Sequence, residues 1–241
     1  MGIKKITRKQ LKQDEFISGM NKFTYFMQEN WKPFAFGLGA VLVICLLIVA
    51  WRAYTERTSA RAMRLLDQGL EAFQGRVLSS GEEASVIPGE RTFASEEEKY
   101  REEIQAFENV IDKYPNTGAG RTARYYLALS HLGNFKTEEG LEQLDGIIES
   151  SPDSLLGALA LNTYAMVLEG QSRYEEAVKK YTTLLEQEGR YIPGDVILFK
   201  LGQCQLKLGN KAEAEKQLKR LSEDYPDSSY QFEAEKLLKE V

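Results

Sequence analysis

The sequence predicts an all-α protein in which a single N-terminal transmembrane helix is followed by an α-solenoid of about three to four helix pairs. Three observations support this fold class. The 241 residues are rich in Ala, Leu, Glu and Lys and include only 6 prolines, a composition typical of helices. Residues 34–51 form an uncharged apolar run. Farther along the chain, helix-ending signals recur at multiples of 37 residues, which is typical of a helical repeat array.

The net charge of −5 is unevenly distributed along the chain. Residues 1–33 contain seven Lys and Arg against three Asp and Glu, which leaves −9 for the rest. Because nucleic-acid binding needs clustered Lys and Arg, an acidic body argues against a nucleic-acid partner.

The two cysteines, Cys45 and Cys204, do not form a disulfide framework, since Cys45 lies inside the apolar run. The cysteines therefore do not indicate whether the protein lies in an oxidising or a reducing compartment.

Residues 1–33 are predicted to be a basic cytoplasmic tail that includes an amphipathic helix at 14–32, ended by Pro33. Its large apolar side chains fall on one side of a helical wheel, opposite Glu15, Ser18, Lys22 and Glu29. The apolar set is Phe16, Met20, Phe23, Phe26, Met27 and Trp31. We expect this stripe to lie in the membrane interface. The alternative is a docking helix for an integral-membrane partner.

Residues 34–54 are predicted to be the transmembrane helix. The eighteen uncharged residues 34–51 cover about 27 Å at about 1.5 Å per residue. Trp31, Trp51 and Tyr54 lie near the two ends as interfacial anchors. A cleaved signal peptide is disfavoured because its apolar run would exceed the usual length of about 7–15 residues. A lipid-attachment site is disfavoured because bulky Ile44 precedes Cys45.

The charges that flank the span do not fix its orientation. Two Lys precede it and four Arg follow it within about 20 residues, whereas the N-terminal tail as a whole is basic. We expect a cytoplasmic N-terminus, because a long C-terminal domain translocates largely regardless of its charge.

Residues 55–98 are predicted to hold the continuation of this helix, to about Gln74, and a mobile loop. The loop at 75–94 is rich in Gly, Ser and Pro. About 20 residues is long for a connection inside a compact domain.

Residues 99–241 are predicted to form the repeat domain. The phrases IDKYPNT, at 111–117, and SEDYPDS, at 222–228, mark its first and last units. Pro115, Pro152 and Pro226 are separated by 37 and 74 residues, and the missing fourth mark falls at Gly189. Each unit then divides into two helices. In the last unit Gly209 ends the first helix, and the segments 210–213 and 228–231 are predicted to form capping boxes.

The last three units resemble the tetratricopeptide repeat in their small, aromatic and proline positions. The last unit supplies Gly202, Gly209, Ala214, Leu221 and Pro226. The unit before it supplies Ala165, Tyr174, Ala177, Tyr181 and Leu184, with Ser172 in place of the turn glycine. The next one back supplies Gly133, Phe135, Gly140, Leu144, Ile147 and Pro152. In that unit we expect two inserted turn residues, and Tyr126 stands where a small residue is usual. The earliest unit matches only in its second helix, at Phe107, Val110 and Pro115.

A basic tail, one anchor and an acidic repeat domain together resemble the YfgM family, ancillary subunits of the SecYEG translocon. The resemblance implies a single-pass protein of the bacterial inner membrane with a periplasmic repeat domain. It also implies protein partners: translocon subunits, a periplasmic chaperone or secreted clients. In the resembled repeat, first-helix residues line a concave binding groove. The corresponding residues here are Leu127, Asn162, Met166, Phe199 and Gln203.

Two further functions stay open beside the translocon interpretation. The first is an envelope-assembly or cell-division scaffold that uses the same repeats. The second is an enzyme, which the sequence disfavours because His131 is the only histidine and no second ligand stands at metal-binding spacing. The acidic run at 96–103 is predicted to be a solvated helix face capped by Ser95 and Glu98. We therefore expect no catalytic residue, metal, cofactor or small-molecule substrate.

Overall fold

The computed structural model describes residues 8–29, 31–78, 90–187 and 190–239. The chain divides into two compact units, Met1–Arg57 and Thr58–Val241. The described residues form ten helices and one pair of two-residue strands. The predicted helix-ending mark at Gly189 lies outside them.

The first unit contains helix α1, Arg8–Glu29, and the beginning of helix α2, Trp31–Gln74. The amphipathic helix was predicted to run to residue 32 and to end at Pro33. In the structure it ends earlier, and Pro33 lies in the first turn of α2. Proline is tolerated there because the first N–H groups of a helix have no acceptor within it.

One helix among the described residues, α2, is long and apolar enough to cross a membrane. Along its first half, the large apolar side chains that the structure describes are exposed, for example Phe36 at 80% and Leu46 at 68%. Exposed side chains of this kind are expected on a helix whose solvent is lipid, not water.

The second unit is an array of consecutive helix pairs. Residues 58–74 of α2 pack against α3, and the remaining pairs are α4 with α5, α6 with α7 and α8 with α9. Helix α10 packs on α9 at the end of the array. The helix bounds are α3 Glu96–Lys113, α4 Gly118–Gly133, α5 Thr137–Ser150, α6 Leu155–Gly170, α7 Tyr174–Glu186, α8 Gly194–Lys207, α9 Lys211–Asp224 and α10 Gln231–Leu238. This arrangement confirms the predicted α-solenoid.

The loop predicted at 75–94 contains a short parallel strand pair. Strand β1, Arg76–Val77, pairs with β2, Thr92–Phe93, so that Arg76 lies opposite Thr92. The side chain of Phe93 is buried. Its packing holds this end of the loop against the helices. Residues 79–89, for which mobility was predicted, lie outside the described residues.

The turns inside the last three pairs have identical lengths. Each consists of three residues, and the central residue has a left-handed backbone: Phe135 at φ 60°, Ser172 at φ 60° and Gly209 at φ 76°. These positions are 37 residues apart. The two-residue insertion predicted for the first of these turns is therefore wrong. The error came from matching Gly133 to the turn glycine, whereas Gly133 is the last residue of α4.

Helix capping was predicted correctly at one site and wrongly at two. The Ser95 hydroxyl accepts the Glu98 N–H at 3.1 Å at the start of α3. No side-chain capping bond forms at α9. The Asn210 amide N–H donates to the Gln205 side chain at 2.9 Å. At α10 the Ser228 hydroxyl accepts the Tyr230 N–H at 3.1 Å and not the Gln231 N–H of the predicted box. It also donates to the Asp195 carboxylate at 2.6 Å, which ties the turn back to the start of α8.

The core consists of successive apolar clusters at the joints between helices. In the last pair Gly202 lies so close to Leu218 that an added Cβ would come within 2.7 Å of its side chain. At the first joint the large Tyr126 ring is accommodated, because it stacks on Phe107 at 5.8 Å and meets Phe73 edge-on at 5.2 Å. Burial of these side chains stabilises each joint by roughly 1.5–3 kcal/mol per large apolar residue.

Candidate functional site

Three of the five predicted groove residues reach the surface. Met166 on α6 is 51% exposed, and Asn162 and Gln203 are half-buried. The Asn162 amide donates to the Met166 sulfur at 3.5 Å, so these two side chains touch. A partner that approaches the first helices can contact all three.

The other two predicted groove residues belong to the core. Leu127 is 4% exposed and packs in the cluster that contains Phe107 and Val110. Phe199 is 6% exposed because the Tyr230 ring at the start of α10 stacks on it at 4.7 Å. Neither side chain is available to a partner in this conformation.

Helix α4 carries two partly exposed residues at equivalent repeat positions that are not in the predicted set. Tyr125 and Leu129, both half-buried, stand 37 residues before Asn162 and Met166. The Tyr125 hydroxyl lies 3.0 Å from the Thr163 hydroxyl on the next first helix. Strict use of the 37-residue period would have found both residues. We call the surface formed by Tyr125, Leu129, Asn162, Met166 and Gln203 the groove.

One end of the groove opens into a cleft of about 750 Å³. Helices α6, α8 and α10 each contribute to its walls. Its lining includes Met166, Glu169, Lys200, Gln203, Lys207 and Leu237. We call this space the C-terminal cleft.

A polar network of three helices supports the floor of the C-terminal cleft. The Glu169 carboxylate on α6 accepts the Tyr181 hydroxyl of α7 at 3.0 Å. It also accepts the Lys200 ammonium of α8 at 3.2 Å. Tyr181 is completely buried, and burial, together with the neighbouring Glu169 charge, raises the pKa of its hydroxyl. The hydroxyl therefore stays protonated and keeps donating to Glu169.

Cys204 lies in the cleft wall as an unreactive thiol. Its side chain is fully buried. Burial raises its pKa to about 11, and the Glu169 charge adds to the effect. Because the thiolate is the nucleophilic form, this cysteine is unsuited to catalysis at neutral pH.

His131 has a structural partner. The Tyr100 hydroxyl lies 2.9 Å from its Nδ1 atom, and the two rings meet edge-on. Burial lowers the pKa of His131, so the neutral ring is favoured. Among the residues that the structure describes, no group of three His, Cys, Asp or Glu side chains is placed to hold a metal ion.

Two family models match the chain, and together they cover most of it. A model described as a tetratricopeptide repeat-like domain matches residues 24–190. A model described as a tetratricopeptide repeat matches residues 168–241. Neither description names a catalytic activity. No curated protein matches the chain.

Solved structures with a similar backbone include a tetratricopeptide repeat protein. A tetratricopeptide repeat protein from Parabacteroides merdae matches with a TM-score of 0.50 and 16% identity, over 58% of this chain and 52% of that one. The chain thus spans about half the length of that structure. BtubC from P. vanneervenii matches with a TM-score of 0.49 and 15% identity, over 72% and 74% of the two chains. A putative kinesin light chain repeat protein from Podosopora anserina matches with a TM-score of 0.46 and 15% identity, over 58% and 84%. Identities this low concern the fold alone.

Proposed function

Because the chain belongs to the tetratricopeptide repeat-like domain family, we propose that it is a membrane-anchored protein–protein interaction module of the bacterial cell envelope. Its specific role in this proposal is that of an accessory factor between the secretion translocon and periplasmic chaperones. The protein crosses the inner membrane once, with its N-terminus in the cytoplasm and its repeat domain in the periplasm.

The groove is the observation that supports protein binding most directly. It places side chains of different chemistry along successive first helices: the hydroxyl of Tyr125, the amide of Gln203 and the flexible thioether of Met166. Methionine adapts its shape to a partner and is common on surfaces that bind several proteins. Met166 is 51% exposed, so a partner that covers it gains apolar burial.

The N-terminal helices support membrane anchoring. Helix α2 has the length and composition of a span, and Trp31 and Trp51 lie near the ends of its apolar run. In α1 the side chains of Met20, Phe23 and Phe26 are exposed. A stripe of this kind suits the membrane interface or a groove of an integral-membrane partner. In the proposal residues 1–33 form the tail, 34–54 the span, 55–98 the connection and 99–241 the repeat domain.

Co-purification tests the proposed role. The full-length protein would be tagged, extracted from membranes in a mild detergent, and analysed by mass spectrometry for the proteins that accompany it. We expect translocon subunits and a periplasmic chaperone in the eluate. A Met166→Asp variant should lose the chaperone, whereas Thr183→Asp, on an exposed position of α7, should keep it.

Two results would contradict the proposed role. Recovery of neither translocon subunits nor a chaperone would argue against it. Recovery of wall-assembly or division proteins, with the tagged protein concentrated at midcell, would favour the scaffold function instead.

A further inference from the structure

The C-terminal cleft differs in charge from the rest of this acidic protein. Its lining includes three lysines, Lys200, Lys207 and Lys211, against one acidic residue, Glu169. The chain as a whole has a net charge of −5. Two other described clefts have the opposite character. One, beside Pro226, is lined by three aspartates. The other, beside Gln68, is lined by four acidic residues and a single arginine.

Two of the cleft lysines lie on one face of α8. Lys200 and Lys207 are seven residues apart, which is about two helical turns and about 10.5 Å along the axis. The Lys200 ammonium is 3.2 Å from Glu169, and an ammonium has three N–H donors, so further donors are available to a second acceptor. Lys207 is exposed, and no acidic side chain among the described residues pairs with it in an ion pair.

Apolar side chains stand beside these ammonium groups. Met166 of α6, Leu206 of α8 and Leu237 of α10 line the same cleft, and Tyr174 of α7 and Lys211 of α9 line it as well. A cleft of about 750 Å³ has the size of a site for a few residues, since ligand sites usually have volumes of about 300–1,000 Å³. A whole folded surface would not enter it.

From this combination we propose that the C-terminal cleft binds a short acidic segment of a partner protein, with carboxylates on Lys200 and Lys207 and a neighbouring apolar side chain against Met166, Leu206 and Leu237. The inference rests on the proposed function and adds the chemistry of the partner. The lysine ammonium groups position the segment by their charge. The side chains of Met166, Leu206 and Leu237 bury the apolar surface of the segment. The Glu169 carboxylate holds Lys200 in place through its bond to Tyr181.

Peptide binding to the full-length protein in detergent micelles tests this inference. The probes are a fluorescein-labelled 12-residue peptide of Glu, Asp and Leu residues and its counterpart with Gln and Asn at every acidic position. Fluorescence anisotropy would be measured at low and at moderate salt. We expect the acidic peptide to bind at least about tenfold more tightly, since a charge-assisted contact corresponds to about that factor. Added salt should reduce the difference.

Substitutions locate the binding site. Lys207→Gln, which breaks no ion pair among the described residues, should weaken binding of the acidic peptide by about tenfold, and Lys200→Gln/Lys207→Gln should weaken it further. The matched control is Lys113→Gln/Lys179→Gln, which removes two exposed lysines of α3 and α7. It should leave binding unchanged.

Several results would overturn the inference. Equal binding of the two peptides, no binding of either, or an unchanged affinity in Lys207→Gln would each do so. Self-association of the protein that Lys207→Gln abolishes would identify a second copy as the occupant instead. A partner that co-purifies equally with wild type and with Lys200→Gln/Lys207→Gln would support the proposed function and contradict this inference.

Discussion

Phe135 has an unusual backbone and an unusual environment for an aromatic residue. Its φ is 60° and its side chain is 93% exposed. The left-handed region costs an L-residue about 1–2 kcal/mol. Gly209 adopts the same region two repeats later without that cost. Phe135 is thus a strained residue whose ring packs on nothing within the described part of the chain.

Phe135→Gly should raise the free energy of unfolding by about 1 kcal/mol, because it removes the strain and loses little burial. Phe135→Ala should change it by less than about 0.5 kcal/mol, because alanine keeps the strain. Gly209→Ala should lower it by about 1 kcal/mol. Urea unfolding followed by circular dichroism measures all three. A destabilised Phe135→Gly protein would mean that the ring makes a stabilising contact in solution.

Glu103 on α3 is a buried carboxylate, so the prediction of a solvated face for the whole acidic run at 96–103 is wrong at its last residue. It is 4% exposed, and the Lys99 ammonium lies 3.9 Å away. Burial raises its pKa, an effect that the nearby Ser130 hydroxyl and Lys99 only partly offset. A pKa that is higher in the folded than in the unfolded state means that protonation of Glu103 favours folding. Its stabilising effect is complete below the unfolded value of about 4.5 and is lost as the pH rises through the folded value.

Glu103→Gln mimics the protonated side chain and removes this pH dependence. At pH 7 the variant should be more stable than wild type by on the order of 1 kcal/mol, the usual size of a single-residue effect. The difference should vanish below about pH 4.5. Unfolding free energies measured between pH 4 and 8 test the sign. A variant that is less stable at pH 7 would mean that the Lys99 pair outweighs the cost of burial.

At the scale of elements, the connections between helix pairs depend on close backbone approach. A Cβ added to Gly157, in the first turn of α6, would lie 2.1 Å from the Ser151 carbonyl oxygen. Gly120, one repeat earlier, has the same relation to the Tyr114 carbonyl, also at 2.1 Å. A glycine at this position lets the Ser154 hydroxyl accept the Gly157 N–H at 3.0 Å, so the new helix starts directly after the turn.

Gly157→Ala should therefore lower the free energy of unfolding by about 1–3 kcal/mol, the cost of forcing atoms into a filled space. The matched control is Gly170→Ala at the other end of the same helix, where an added Cβ meets nothing within 4 Å. Alanine should be neutral or slightly stabilising there. Equal effects of the two substitutions in thermal unfolding would show that α6 can shift at no cost.

The 37-residue period predicted the order of helices correctly, because the ends of the helices are determined by local sequence signals. Turn residues, prolines and apolar spacing decide where helices end, and the solenoid adds only neighbour contacts. The wrong turn insertion arose where a local signal was misleading: Gly133 looks like a turn glycine, yet Phe135 takes the left-handed position. The capping box predicted at 228–231 is shifted by one residue, because the Ser228 hydroxyl accepts the Tyr230 N–H while it donates to the Asp195 carboxylate. At 210–213 the Asn210 side chain makes no capping bond at the start of α9.

At the scale of the whole molecule, the sequence predicted the array and the candidate span, whereas the role of the groove residues stays a prediction. Asn162, Met166 and Gln203 reach the surface of the first helices, and Met166 and Gln203 are one 37-residue period apart. The burial of Phe199 depends on Tyr230, which lies 31 residues farther along the chain. The burial of Leu127 depends on Phe107 of another pair. Contacts between elements of this kind leave no periodic signal in the sequence.

Site-specific photocrosslinking in living cells is the most direct test of the claim that the groove binds a protein partner. A photoreactive amino acid would replace Met166 or Gln203 in the full-length protein, and Thr183 on α7 would serve as the control position. We predict a discrete crosslinked partner from Met166 and Gln203 and none from Thr183. Equal crosslinking from all three positions, or a partner captured only at Thr183, would contradict the account.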